Sequence, residues 1–171
     1  MPSEIFGLPL HPLIVHATAV LVPLAALLVI GVVASPRLRA WAGPLPMALS
    51  LVALILTPLS TSSGENLEHQ VGESSLVEKH AELGDQLLPF TIALFVLSVA
   101  FWWVDRRRTA ATDVSTPAHT SDAGTASRMR TLTIVVGVLA LVAAVGTSVQ
   151  VARIGHSGAK AAWSDTGSAS G

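Results

Sequence analysis

Five of the six histidines lie close to the ends of long apolar runs, at positions 11, 16, 69, 80 and 156. A neutral imidazole nitrogen is a ligand for copper, zinc, iron and haem iron. An unpaired polar group costs free energy beside apolar surroundings, so these side chains need either a ligand or a hydrogen-bond partner. The question is which elements of the chain bring them together.

The composition is that of a membrane protein. Of the 171 residues, 51% are hydrophobic and 12% are charged, whereas about 25% are charged in an ordinary soluble domain. A net charge of -1 and the lack of basic residues interleaved with aromatic ones exclude nucleic acid as a partner. The chain has no cysteine, which excludes iron–sulfur clusters, thiolate-ligated zinc and cysteine nucleophiles.

Four apolar runs are long enough to cross a hydrocarbon core of about 30 Å, for which about 20 helical residues suffice. They predict spans at 13–34, 44–62, 86–104 and 132–152. We therefore expect an all-α integral membrane four-helix bundle as one domain over residues 1–163. We expect a disordered tail over 164–171 and a disordered polar linker over 109–127.

The distribution of arginine predicts the orientation of the bundle. The first and third connections carry Arg37, Arg39, Arg106, Arg107, Arg108, Arg128 and Arg130, whereas the second connection is acidic. We expect the first and third connections to be cytoplasmic and both termini to be extracytoplasmic. His119 falls in the linker, whereas the other five histidines all fall on the extracytoplasmic side.

The second connection contains a helix start. Ser75 and Glu78 have the spacing of a capping box, and Gly72 precedes them. We expect helix two to continue through His69, and helix three to begin near Ser75, so that His69 and His80 can face each other. In the alternative, one continuous helix, the two histidines would be about 16 Å apart.

Other residues add possible ligands and donors. Glu65 lies one helical turn before His69, and Glu82 lies near His80 in the sequence. Gln150 is a possible donor to the histidine cluster, and glycines flank His156 in "GHSGAKAAW". Such glycines allow the backbone to approach a flat group closely, although this sequence is also common at helix ends.

Three segments carry a family resemblance. "HPLIVHATAVLVPLA", "VEKHAELGD" and "GHSGAKAAW" together resemble the bacterial membrane family catalogued as domain of unknown function 2231. The resemblance implies a four-helix domain in the bacterial inner membrane, in respiratory or redox surroundings.

Three functions follow from these patterns. Histidines on different helices of a bundle are typical of bis-histidine haem b, which predicts axial ligands from among His16, His69, His80 and His156, with His11 at the rim. Such a subunit would pass electrons between a quinol or another membrane donor and an extracytoplasmic acceptor. This pattern favours an electron-transfer protein over a stand-alone enzyme and leaves the question of enzymatic activity open. Alternatively, His11, His16, His69 and His80 bind copper, zinc or iron together with Glu65 or Glu82.

In the third interpretation, the protein is a structural or partner-binding subunit without a cofactor, and the histidines form hydrogen bonds with helix ends. Membrane lipid is a partner in each case, and a homo-oligomer or a larger complex stays open.

Overall fold

The computed structural model describes residues 4–5, 8–71, 75–113 and 122–163 of the chain. A two-residue antiparallel pair, β1 (Glu4–Ile5) with β2 (Leu8–Pro9), precedes the helices. The helices are α1 (Leu10–Ala34), α2 (Pro36–Ala42), α3 (Leu45–Val71), α4 (Ser75–Asp85), α5 (Leu87–Asp113) and α6 (Asp122–Trp163).

Four helical segments are long and apolar enough to cross a membrane, namely Pro12–Ala34, Leu45–Glu65, Ser75–Ala110 and Ser127–Ala161. The predicted helical membrane fold is thereby confirmed. The helices extend beyond the apolar runs, and both ends of the predicted linker are helical, at 109–113 and 122–127. Residues 114–121, with His119, and the predicted tail at 164–171 lie outside the described residues.

The long helices form a four-cornered bundle. Helices α1 and α5 each contact both α3 and α6, so α1 and α5 lie on one diagonal. The core of the bundle is built largely of small side chains, among them Ala25, Ala26, Ala53, Ala140 and Ala144. Small residues allow membrane helices to approach closely. Large apolar side chains such as Val20, Leu27 and Val142 are exposed on the outside of the bundle, as expected for the surface of a membrane protein that faces lipid.

Buried polar side chains in the bundle are hydrogen-bonded. The hydroxyl groups of Ser50 on α3 and Ser98 on α5 lie 2.8 Å apart. The hydroxyl of Thr147 donates to the carbonyl of Ala143 in its own helix at 2.7 Å. No buried side-chain nitrogen or oxygen lacks a partner among the described residues, as a membrane interior requires.

The end of the bundle that carries the seven arginines named above is called the arginine end. Here Arg39 on α2 satisfies the exposed carbonyls at the end of α1, donating to Val32 O at 2.9 Å and to Val33 O at 3.0 Å. Its Nη1 also lies 2.7 Å from Oδ1 of Asp105 on α5, and its guanidinium lies 4.7 Å from the centre of the Phe101 ring. One side chain thus joins α1, α2 and α5.

The opposite end, where α4 lies, is called the histidine end. As predicted, α3 runs past His69 to Val71, and a new helix begins at Ser75. Helix α4 then ends at Asp85, and α5 begins at Leu87. Pro89 has no N–H to bond the carbonyl four residues earlier, which favours a break at this point.

Candidate functional site

His80 is held between two helices at the histidine end. Its Nδ1 lies 3.0 Å from the hydroxyl oxygen of Ser157 on α6. A β-carbon added to Gly158 would lie 2.9 Å from His80 Cε1 and 3.2 Å from His80 Nδ1. The flat group that the glycine-rich segment admits is therefore the imidazole of His80 itself.

Gln150 on α6 holds the C-terminal end of α4, the helix that carries His80. The side chain is 2% exposed, and its Nε2 donates to the carbonyl of Leu83 on α4 at 2.8 Å. The last carbonyls of a helix have no partner within the helix, so Gln150 caps α4. Gln150 was predicted as a donor to the histidines, but its amide bonds the backbone of the helix that carries His80.

His16 has one ring nitrogen committed to the backbone. Its Nδ1 lies 2.6 Å from the carbonyl oxygen of Pro12, one turn earlier in α1. A carbonyl only accepts hydrogen bonds, so Nδ1 carries the proton and, in the neutral ring, Nε2 carries the lone pair. The side chain is exposed, and Nε2 has no hydrogen-bond partner in the described part of the chain.

The remaining predicted ligands are not brought into one group. His156, Glu65 and Glu82 are exposed, and the side chains of His11 and His69 lie outside the described residues. Among the described residues, no three histidine, aspartate or glutamate side chains are close enough to hold a metal ion. The five-histidine cluster therefore stays a prediction.

A haem fits this end in one respect and is restricted in another. The donor chemistry fits, since a ligating histidine commonly donates its second ring N–H to a carbonyl, which is the arrangement at His16. The middle of the bundle is closely packed at Val22 on α1 and Leu94 on α5, which are both 0% exposed. Such a group would have to lie on the exposed side of His16.

Two contacts of the structure were not predicted. The partnership of His80 with Ser157 joins residues 77 positions apart, and nothing in the local sequence indicates it. The bond of Arg39 to Asp105 had a weak signal, since an acidic residue directly precedes three arginines at the end of a span.

The fold and this site define a multi-pass integral membrane protein built on a four-helix bundle. The chain belongs to the family described as "predicted membrane protein (DUF2231)", whose model matches residues 7–170. No curated protein and no solved structure matches the chain.

Proposed function

We propose that this membrane protein is an electron-transfer subunit that binds haem b at its histidine end, with His16 as one axial ligand. Haem supplies one-electron chemistry when bound. The second axial ligand comes from His69, His80 or His156. A quinol or another membrane donor would supply the electrons, and the acceptor would be extracytoplasmic, because the arginine end is expected to face the cytoplasm.

The hydrogen bond from His16 Nδ1 to the Pro12 carbonyl carries the proposal. It fixes the ring orientation and leaves Nε2 as the nitrogen with the lone pair. A hydrogen bond at the second nitrogen also raises the basicity of an imidazole ligand. The side chain is exposed, so the bundle does not enclose the ring.

A haem site needs fewer protein ligands than a haem-free metal site. Haem iron takes two axial ligands from the protein, whereas a zinc site takes three or four. The described residues contain no group of three such side chains. Copper, zinc or iron held partly by His11 or His69 is the outcome that metal analysis would reveal.

A second function is favoured by the surroundings of His80. Its ring is packed against Gly158 and bonded to Ser157, which is a role in joining α4 to α6. If the other histidines also act only on helix ends, the protein is a structural or partner-binding membrane subunit with no cofactor.

The test is purification of the full chain from membranes, with absorption spectra before and after reduction. Haem b gives a Soret band that shifts on reduction, and we expect His16→Ala to abolish it. His119→Ala is the matched control, since it removes the same side chain from the linker and should leave the spectrum unchanged.

Single alanine variants of His69, His80 and His156 then identify the second ligand. A colourless protein with stoichiometric metal would contradict the haem proposal and support the metal site. A colourless, metal-free protein that is folded would support the structural subunit. A haem spectrum unchanged in His16→Ala would overturn the assignment of His16.

A further inference from the structure

A cavity of about 580 Å³ opens at the arginine end, opposite the end of the bundle that carries His16 and His80. It lies between the end of α1, the short helix α2, the start of α3 and the last turns of α5. No local sequence pattern indicates this cavity, because its walls come from four separate segments.

The walls of this cavity, which we call the arginine-end cavity, change from apolar to basic along its depth. Val29, Val32 and Phe101 line it and are at most 5% exposed. Arg106 and Arg108 also line it and are exposed. The cavity is thus apolar inside and positively charged at its mouth.

The charges in the lining do not cancel. Asp105 is the acidic residue in the lining, and it is paired with Arg39 at 2.7 Å. The guanidinium of Arg106 lies over the Trp102 ring, 4.4 Å from its centre. This cation–π contact does not use the N–H groups of Arg106 as hydrogen-bond donors. Arg106 has no acidic partner within the described part of the chain, so its charge is available to an anion.

We propose that the arginine-end cavity binds an anionic phospholipid, with the headgroup phosphate at Arg106 and the glycerol and upper acyl region against Val29, Val32 and Phe101. Guanidinium groups bind phosphate through paired hydrogen bonds, and basic pockets between membrane helices take anionic headgroups.

Two observations favour a lipid over a soluble anion. The cavity has a buried apolar interior, which a small hydrated anion would not fill. The cavity also lies beside the end of the candidate span Pro12–Ala34, where the basic connections lead us to expect the membrane surface. Trp102 in the wall and Trp103 next to it are of the residue type that is enriched at this depth.

The test measures lipid retained by the full-length protein. The protein is reconstituted in nanodiscs of phosphatidylcholine with a minor fraction of phosphatidylglycerol, extracted gently, and analysed for bound lipid by native mass spectrometry. We expect Arg106→Gln to lower retained phosphatidylglycerol about five-fold, the effect of one interfacial arginine.

Arg107→Gln is the matched control. Arg107 is the next residue, has the same charge and lies 3.7 Å from the centre of the Trp103 ring, but it does not line the cavity. The Arg107→Gln variant should retain as much phosphatidylglycerol as the unsubstituted protein does. Ala40→Trp narrows the exposed part of the lining without changing charge and should also lower retention, which keeps the test decisive if Arg106→Gln fails to fold.

Three results would overturn the proposal. The first is equal loss of lipid in Arg106→Gln and Arg107→Gln, which indicates general surface attraction. The second is unchanged retention in both Arg106→Gln and Ala40→Trp. The third is displacement of the lipid by millimolar inorganic phosphate in an Arg106-dependent manner, which would assign the site to a soluble anion.

Discussion

The imidazole of His80 on α4 lies against the backbone of Gly158 on α6. A β-carbon at position 158 would come within 2.9 Å of His80 Cε1, and Ser157 next to it bonds His80 Nδ1 at 3.0 Å. Gly158 and Ser157 thus form the surface of α6 against which the His80 imidazole packs. This contact, together with the Gln150 bond to Leu83, holds α4 onto the bundle.

The first prediction concerns Gly158→Ala. Alanine normally stabilises a helix interior relative to glycine by about 0.5 to 1 kcal/mol. At position 158 the methyl group would displace the half-buried His80 imidazole and break its bond to Ser157, a loss of about 0.5 to 1.5 kcal/mol. The two effects offset each other, so we expect no rise in the thermal unfolding midpoint in detergent.

Gly155→Ala is the control for that measurement. Gly155 lies three residues earlier in α6, and a β-carbon added there would meet no atom within 4 Å. We expect Gly155→Ala to raise the midpoint slightly, through helix propensity alone. Equal effects of the two substitutions would show that His80 does not depend on the small size of residue 158.

The second prediction concerns Gln150→Leu. This variant places an apolar side chain of similar size in the buried position but leaves the Leu83 carbonyl without its donor, at a cost of about 1 to 3 kcal/mol. Because the lost bond caps α4, amide hydrogen exchange should accelerate in α4 in particular. Ser148→Ala, which removes a bond to Ala144 within α6, should leave exchange in α4 unchanged. Uniform acceleration through all helices in Gln150→Leu would contradict a local capping role.

The third prediction concerns Arg39→Lys. Lysine keeps the charge but cannot donate to Val32, Val33 and Asp105 at once, because its ammonium is a point charge without the guanidinium fork. We expect a loss of about 1 to 3 kcal/mol in the free energy of unfolding, since charged hydrogen bonds are lost. Chemical unfolding in detergent measures it.

Arg37→Lys is the control for Arg39. Arg37 is exposed on the same short helix, and an exposed substitution of this type changes stability by about 0.5 kcal/mol or less. If both variants behaved alike, the contacts of Arg39 with α1 and α5 would contribute nothing measurable.

The helices that could be predicted from the sequence are those marked by a long apolar run or by a capping pattern. Long apolar runs indicated the four spans, and the capping box at Ser75 marked the start of α4. The short helix α2 was missed, although Ser35 at its N-cap, Pro36 at its first position and Gly43 at a φ of 51° after its end are all typical helix-end signals. Hydropathy does not detect a helix of seven residues. It also measures apolar thickness, so it underestimates helices that continue into water.

The candidate site was less predictable for a different reason. The position of each histidine on a helix follows from the sequence, but its partner depends on which helices touch. His80 bonds Ser157 because α4 folds back onto α6, and this contact between distant segments has no local pattern. Arg39 and Asp105 are likewise 66 residues apart.

The fourth prediction concerns orientation. The arginine end should face the cytoplasm and the histidine end the exterior, by the positive-inside rule.

Cysteine labelling measures this orientation. Because the chain has no cysteine, the reaction of a single introduced cysteine can be detected without background labelling of the protein. We expect Glu78→Cys, exposed on α4, to react with a membrane-impermeant maleimide in intact cells, and Ala110→Cys, exposed near the end of α5, to react only after lysis. Both sites are on helices and replace exposed side chains, so they differ chiefly in the side of the membrane they report. The reverse labelling pattern would invert the bundle, place the histidine end in the cytoplasm and exclude an extracytoplasmic electron acceptor.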